Sequence, residues 1–226
     1  MESAWFAQKL LYHMVEKYDD KLVVSCSFGA PEGMIIIHMI SQYHKNFRVC
    51  TIDTGRIPQP TFNLIDKAKE RYDFDLDIIY PNYEKLSQMV RAKGMNSFYE
   101  SIENRKECCD IRKVQPFDDY LVKNRIQMVV AGLRQEQSEA RQKVKQLELD
   151  KYDNCAKLNP LYDWTRDEVM NYVKIHDIPI NSLNYQGYES VGCAPCTRAG
   201  MGRDGRWWWE TESNKECGLH SEGSGI

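Results

Sequence analysis

Residues 22–33 have the sequence L-V-V-S-C-S-F-G-A-P-E-G. The β-prone run 22–28 is bounded by Gly29 and Pro31, and it predicts a short, fully buried strand. Helical spacing resumes at residues 33–44. A buried strand that passes through a tight turn into a helix is typical of α/β proteins, so this stretch decides the fold class.

The same alternation continues along the chain. Strands are predicted at 48–55, 75–81 and 126–133, and helices at 2–18, 59–73, 165–176 and in most of the stretch up to about 124. Thr165 followed by Glu168 predicts the N-terminal cap of the helix at 165–176. The polar stretch 135–156 is predicted to be a loop or hairpin. Alternating strands and helices indicate a parallel sheet with right-handed crossovers, whose ligands bind at the carboxyl ends of the strands.

Composition narrows the function classes. The chain has 226 residues, 42% hydrophobic and 28% charged, with a formal net charge of −3. This balance does not favour nucleic-acid binding, and no apolar stretch approaches the length of a membrane span. The start, M-E-S-A-W-F, lacks the features of a signal peptide. We therefore expect a cytoplasmic protein, in which the eight cysteines are core residues, metal ligands or reactive thiols rather than disulfides.

Three loops follow the predicted strand ends. Ser27 and Gly29 can present backbone N–H groups to an anion, although a tight turn alone would also need glycine. Asp53 can accept hydrogen bonds from a nucleotide or cap a helix. Arg134 and Arg141 can bind phosphate oxygens, although exposed arginines are more often only solvated. Together the loops predict a nucleotide or phosphate pocket.

The cysteine pattern is more specific. Cys108 and Cys109 are adjacent, and Cys193 and Cys196 form a C-x-x-C. Four thiolates in two close pairs can bind zinc or an iron–sulfur cluster. Adjacent cysteines suit a [4Fe-4S] cluster better than one small ion, so the pattern favours the cluster and leaves zinc open. Lys113 follows Cys109 by four residues, and on a continuous helix it would lie on the same face.

The remaining cysteines differ in setting. Cys26 and Cys50 lie in predicted strands and are expected to be core thiols, while Cys155 receives no role. Cys217 lies in K-E-C-G-L-H, downstream of Arg203 and Arg206. A cationic neighbourhood lowers the pKa of a thiol and makes it nucleophilic, so Cys217 is the candidate nucleophile.

These motifs together resemble the assimilatory sulfonucleotide reductases. The resemblance runs from about Leu22 to His220, and it is carried by S-C-S-F-G, I-D-T-G-R, F-Y-E-S-I-E-N-R-K-E-C-C-D-I-R-K-V, A-G-L-R-Q-E-Q-S, K-L-N-P-L-Y-D-W-T, N-Y-Q-G-Y-E-S-V-G-C-A-P-C-T-R, G-R-W-W-W-E and K-E-C-G-L-H. The chain departs from the family at A-P-E-G, residues 30–33, and at the Pro-rich R-I-P-Q-P, residues 56–60.

The resemblance implies the parallel-sheet, adenine nucleotide alpha hydrolase-like (PP-loop) fold with an irregular C-terminal arm. It implies a [4Fe-4S] cluster on Cys108, Cys109, Cys193 and Cys196, with Cys217 as nucleophile. The substrate-binding residues that it implies are Ser27, Gly29, Asp53, Lys113, Gly132, Arg134, Arg141, Arg203, Arg206 and His220. Members with both cysteine pairs mostly use adenosine 5′-phosphosulfate, and members without them mostly require the 3′-phosphate.

The resemblance also implies partners and a reaction. Thioredoxin, or a glutaredoxin-like protein, is expected to supply two electrons for reduction to sulfite and AMP through an S-sulfocysteine on Cys217. Alternatives are the same reaction on the 3′-phosphorylated nucleotide, an ATP-using PP-loop enzyme and a non-catalytic zinc module. The ATP-using enzyme lacks support because its usual motif, S-G-G-x-D-S, does not follow the first strand. A homo-oligomer is possible. We expect residues 1–190 to form the nucleotide-binding unit and 191–226 the cysteine-rich arm.

Overall fold

A computed structural model of the chain describes residues 2–149, 155–211 and 216. Its centre is a six-stranded sheet with the order β3-β2-β1-β4-β6-β5, in which all neighbours are parallel except β5 and β6. The strands are β1 Leu22–Ser25, β2 Phe47–Ile52, β3 Phe74–Ile79, β4 Met128–Ala131, β5 Leu147–Leu149 and β6 Ala156–Leu158. The α/β class and the parallel sheet predicted from the sequence are confirmed.

Seven α-helices lie in the described part of the chain. They are α1 Glu2–Tyr18, α2 Pro31–Ser41, α3 Gln59–Arg71, α4 Tyr83–Lys93, α5 Ile102–Cys109, α6 Gln115–Lys123 and α7 Arg166–Ile175. A π-helical segment, Asp110–Val114, joins α5 to α6. No helix among the described residues combines the length and the apolar character that crossing a membrane would require.

The sheet is covered on both faces. Residues of α1, α2, α3 and α7 pack in one apolar cluster that contains Val24 and Val130 of the central strands. A second cluster on the opposite face contains Val23 and Val129 together with Phe117 and Leu121 of α6. Burial on both faces explains why β1 and β4 are almost continuously apolar.

The predicted strands are present but end earlier than their apolar runs. The first strand ends at Ser25 rather than Phe28, because the chain turns there and Phe28 takes a left-handed φ of 51°. The polar stretch, predicted as a loop or hairpin, contains β5, which pairs antiparallel with β6 at and beyond the last residue of that stretch, Ala156. No strand was predicted at β6, which adds to the sheet beside β4 and consists of only three residues.

The strand order places a crevice above the centre of the sheet. From β1 the chain moves outward to β2 and β3, and it then returns to the other side of β1 as β4. The connections leaving β1 and β4 therefore run in opposite directions, and ligands of open α/β sheets bind at such a switch point. The predicted loops that follow β1, β2 and β4 all lie at this edge of the sheet.

Candidate functional site: two adjoining cavities

A cavity of about 490 Å³ lies above the carboxyl ends of β1, β2 and β4. Its wall contains residues from all three predicted loops and from the stretches 189–193 and 201–206. Of the predicted substrate-binding residues, those that line it are Ser27, Lys113, Gly132, Arg134, Arg141, Arg203 and Arg206. Gly29 and Asp53 stand next to wall residues without lining it, whereas Cys217 and His220 lie outside the described residues.

The first loop is shaped by close packing. A Cβ at Gly29 would lie 2.2 Å from the carbonyl oxygen of Val191, so no larger residue fits without a backbone shift. Asn181 Nδ2 donates to the Phe28 carbonyl at 2.9 Å, and Asn184 Nδ2 donates to the Gly29 carbonyl at 3.2 Å. Pro31 begins α2 at a position that needs no backbone N–H, so the departure at A-P-E-G preserves the helix start.

The second loop forms a side-chain-stabilised turn. Asp53 Oδ1 accepts a hydrogen bond from the Gly55 amide at 2.8 Å. The neighbouring Thr54 faces the cavity, and its Oγ1 lies 3.2 Å from Cys193 Sγ. Sequence reasoning missed Thr54, although its place between Asp53 and Gly55 at a strand end was a usable signal.

In the third loop, Arg134 is already paired. Its Nε donates to Glu32 Oε1 at 2.7 Å, and its Nη1 donates to the Trp164 carbonyl at 2.9 Å. Both side chains of the Arg134–Glu32 pair are 3% exposed. A Cβ at Gly132 would lie 2.7 Å from Glu32 Cβ, so glycine permits this close approach of α2 to the loop. Arg134 therefore joins the third loop to the first turn of α2 through a buried ion pair.

The four predicted cluster ligands come together in a second, smaller cavity. Cys108, Cys109, Cys193 and Cys196 all line it and are 7–8% exposed. The C-x-x-C forms a compact turn in which the Cys196 amide donates to the Cys193 carbonyl at 3.0 Å. No group of three or more His, Cys, Asp or Glu side chains among residues 2–149, 155–211 and 216 is arranged to hold a single metal ion.

The charges around this cavity are positive. Its wall also contains Arg56, Arg105, Arg112 and Lys113. Lys113 and Cys193 line both cavities, so the two sites share a wall. The predicted proximity of Lys113 to the cysteines is thus observed, but the helix passes through the π-helical segment rather than continuing as a regular α-helix.

The thiols respond differently to this setting. Burial alone would raise the pKa of Cys193, but Lys113, a hydrogen bond with Thr54 and the nearby arginines outweigh burial and lower it. Burial raises the pKa of Cys108, with Arg112 opposing. Burial and the neighbouring Cys193 raise the pKa of Cys196 to about 12. Cys193 thus loses its proton more readily than Cys108 or Cys196.

Cys26, Cys50, Cys155 and Trp207 are packed in the interior. Cys26 and Cys50 are buried, and burial raises the pKa of the Cys26 thiol to about 12, as suits an inert core thiol. Cys155 lies in the cluster beneath α6. Trp207 is 1% exposed beside the four cysteines, so it anchors its segment.

A family model described as the phosphoadenosine phosphosulfate reductase domain matches residues 21–199. The chain belongs to this family. It is 40% identical over 215 residues to the adenosine 5′-phosphosulfate reductase of Burkholderia cepacia, covering 93% of this chain and 84% of that protein. It is 39% identical over 205 residues to the reductase of the same name from Allochromatium vinosum, covering 89% and 79%.

Solved structures agree with this family membership. The phosphoadenylyl-sulfate reductase from Candida auris, in a phosphate complex, has a TM-score of 0.71 and 26% identity, covering 85% of this chain and 90% of that one. The FMN adenylyltransferase of Candida glabrata has a TM-score of 0.62 at 16% identity, covering 88% and 65%, and shows the fold alone. The PP-loop adenine nucleotide alpha hydrolase-like fold predicted from the sequence is thereby confirmed.

Proposed function

We propose that this member of the reductase family reduces adenosine 5′-phosphosulfate to sulfite and AMP. The single observation that carries the proposal is the shared wall: Lys113 and Cys193 line both the cavity at the sheet's switch point and the four-cysteine cavity. A nucleotide pocket that adjoins a tetrathiolate site suits sulfonucleotide chemistry. The names of the most similar relatives support the same substrate.

We propose that Cys108, Cys109, Cys193 and Cys196 hold a [4Fe-4S] cluster. Four sulfur donors around one cavity fit it, and thiolates are the usual ligands of such clusters. Because Cys108 and Cys109 are adjacent, a multi-iron group suits the four cysteines better than one zinc ion. When bound, the cluster would place negative charge and polarisable sulfur beside Lys113.

Residues of the chain itself provide the positive charge, the shape of the nucleotide pocket and the nucleophile. Lys113 and Arg206 provide positive charge for the sulfate and the departing phosphate, and Ser27 and Gly132 shape the floor of the nucleotide pocket. We assign Cys217 as the nucleophile and His220 as a substrate-binding residue on the basis of the family's K-E-C-G-L-H motif.

The proposed chemistry balances with the sulfonucleotide and the thioredoxin dithiol as the two reactants. The Cys217 thiolate forms a bond to the sulfate sulfur while the bond from that sulfur to the bridging phosphate oxygen breaks, and AMP leaves with the electron pair. A thioredoxin thiolate then attacks Cys217 Sγ, and sulfite leaves. The second thioredoxin thiol resolves the mixed disulfide, so thioredoxin is oxidised and Cys217 returns to a thiol. Free thiols of this kind suit the reducing cytoplasm, where we place the protein.

The decisive test has two parts. Protein purified without oxygen should contain about four iron and four sulfide per chain, as a [4Fe-4S] cluster requires, and should form sulfite from adenosine 5′-phosphosulfate with thioredoxin. Cys217→Ser should abolish sulfite release while retaining AMP binding, and mass spectrometry of the wild type before reductant should show the sulfo adduct on the peptide containing residue 217. Turnover by Cys217→Ser would contradict the nucleophile assignment.

A second candidate differs only in the substrate form. The likeness to the Candida auris phosphoadenylyl-sulfate reductase favours it. Parallel assays with the 3′-hydroxyl and 3′-phosphate nucleotides distinguish the two, and we expect the ratio of kcat/KM to favour the 3′-hydroxyl form.

A further inference from the structure

Glu216, the residue before the proposed nucleophile, is buried among arginines. Its carboxylate accepts hydrogen bonds from Arg141 Nε at 2.8 Å and Arg141 Nη2 at 3.1 Å, a two-point fork. Arg203 Nη2 lies 3.0 Å from the same carboxylate, whose side chain is only 4% exposed. Such charge-assisted, bidentate contacts are among the stronger polar interactions in proteins.

The two arginines also line the nucleotide cavity. They carry one anion site with two candidate occupants: the carboxylate of Glu216 and an anionic group of a nucleotide. Burying the Arg141 guanidinium without an anion would be costly, because a buried charge that loses its partner is strongly destabilising. The site therefore favours having one occupant or the other.

The backbone of Glu216 is held as well. Its carbonyl oxygen accepts a hydrogen bond from Arg105 Nη1 at 2.9 Å. Arg105 in turn donates through Nε and Nη2 to both carboxylate oxygens of Glu210, each at 2.9 Å, and lines the four-cysteine cavity. Glu216 is thus bound at two points. Its side chain is bound by arginines that line the nucleotide cavity, and its carbonyl oxygen by an arginine that lines the cysteine cavity.

We propose that the Glu216 carboxylate occupies the Arg141–Arg203 anion site when no nucleotide is bound, and that the phosphate or sulfate of the sulfonucleotide displaces it. This inference rests on the proposed function. Glu216 is then a positioning residue: it couples the arrival of an anionic ligand to release of its own side chain, one residue before Cys217. Competition of this kind weakens the apparent affinity for the ligand by the fraction of protein in which the site is already filled.

The test compares a charged and an uncharged ligand on the iron-loaded protein. AMP carries the phosphate and adenosine does not, so only AMP competes with Glu216. By titration calorimetry, Glu216→Gln should bind AMP about tenfold more tightly than the wild type, with adenosine affinity unchanged. Glu216→Asp, which keeps the charge on a shorter side chain, should give an intermediate gain.

Glu210→Gln is the matched control. Glu210 is also a buried carboxylate in an arginine fork, with 7% exposure, but the arginine of that fork is Arg105. This variant should leave the ratio of AMP to adenosine affinity at the wild-type value. A shift of that ratio equal to the shift in Glu216→Gln would overturn the inference, because loss of any nearby carboxylate would then suffice.

A second measurement needs no variant and remains decisive if Glu216→Gln fails to fold. In the wild type, AMP but not adenosine should raise amide hydrogen exchange in the peptide containing residue 216. Unchanged or reduced exchange with AMP, or AMP affinity that is unchanged or weaker in Glu216→Gln, contradicts the displacement. Wild-type protein that binds neither ligand, or forms no sulfite, contradicts the proposed function itself and the inference with it.

Discussion

Two buried arginines at the site form ion pairs with carboxylates of the same chain. Arg134 forms an ion pair with Glu32, in which both side chains are 3% exposed, and Arg141 forms one with Glu216. The sequence predicted these arginines as phosphate ligands from their residue type and place after β4. It could not predict their partners, because Glu32 is 102 positions from Arg134 and Glu216 is 75 from Arg141.

The Arg134–Glu32 pair provides a prediction about stability. Glu32→Gln leaves a buried guanidinium without its closest charge partner, so the free energy of unfolding should fall by about 3 kcal/mol. Glu136→Gln removes a carboxylate 3.1 Å from the same arginine, but that side chain is 53% exposed and its loss should cost at most about 1 kcal/mol. Urea unfolding measures both. Equal losses would show that burial does not set the strength of the pair.

Among the helices, α7 follows its sequence signal closely. Thr165 Oγ1 accepts from the Glu168 amide at 3.2 Å, and the Glu168 carboxylate accepts from the Thr165 amide at 2.7 Å. This capping box was readable from sequence because it is local. The π-helical segment at Asp110–Val114 was not, because an extra residue in a helical turn depends on what the helix packs against.

The cap of α7 gives an element-scale prediction. Thr165→Ala removes the side-chain acceptor and should lower the free energy of unfolding by about 1 kcal/mol. Thr165→Ser keeps the hydroxyl and should retain most of it. Thermal and urea unfolding of the two variants measure the difference, and an alanine variant as stable as the serine variant would argue that the cap is unimportant here.

Three elements meet at His38, and their packing makes stability depend on pH. His38 of α2 contacts Tyr72, which follows α3. It also contacts Tyr172 of α7 and His176, which directly follows α7. Burial, with the charges of His176 and Arg71 adding to it, lowers the pKa of His38 to about 4.

The unfolded chain binds a proton at this histidine near pH 6.5, whereas the folded chain does not. The contribution of buried, neutral His38 to the free energy of unfolding is therefore fully present above pH 6.5, and it is lost as the pH falls towards 4. We expect a loss of about 1–2 kcal/mol, discounted for partial solvent screening. In His38→Gln the difference in unfolding free energy from the wild type should shrink across this window. A constant difference from pH 7 to pH 4 would contradict the assignment.

At the scale of the whole molecule, the cysteine cavity joins distant parts of the chain. Cys108 and Cys109 end α5, while Cys193 and Cys196 belong to a stretch whose neighbours line the nucleotide cavity. The two cysteine pairs were identifiable from their spacing and motifs. Their common wall with the nucleotide pocket was not, because it arises from the packing of the C-x-x-C turn against the π-helical segment.

Together with the proposed cluster, this shared wall predicts the effect of iron removal. Removal of a ligand that four buried thiols share should lower the thermal unfolding midpoint of the protein, because a ligand of the folded state stabilises that state by mass action. AMP affinity should also fall, by about tenfold or more, since Lys113 and Cys193 line both cavities. Calorimetry before and after anaerobic chelation measures this, with Thr165→Ala as a variant destabilised elsewhere. Unchanged AMP binding in iron-free protein would show that the two cavities act independently.

By itself, the sequence determined the α/β class, most strands and helices, the cap of α7 and the cysteine pairs, because periodicity, capping and motif spacing are local properties of the chain. Tertiary structure alone decided where β6 joins the sheet, which carboxylates neutralise Arg134 and Arg141, and that Lys113 faces two cavities. These features depend on contacts between residues far apart in sequence, whose partners are selected by packing rather than by neighbouring residues.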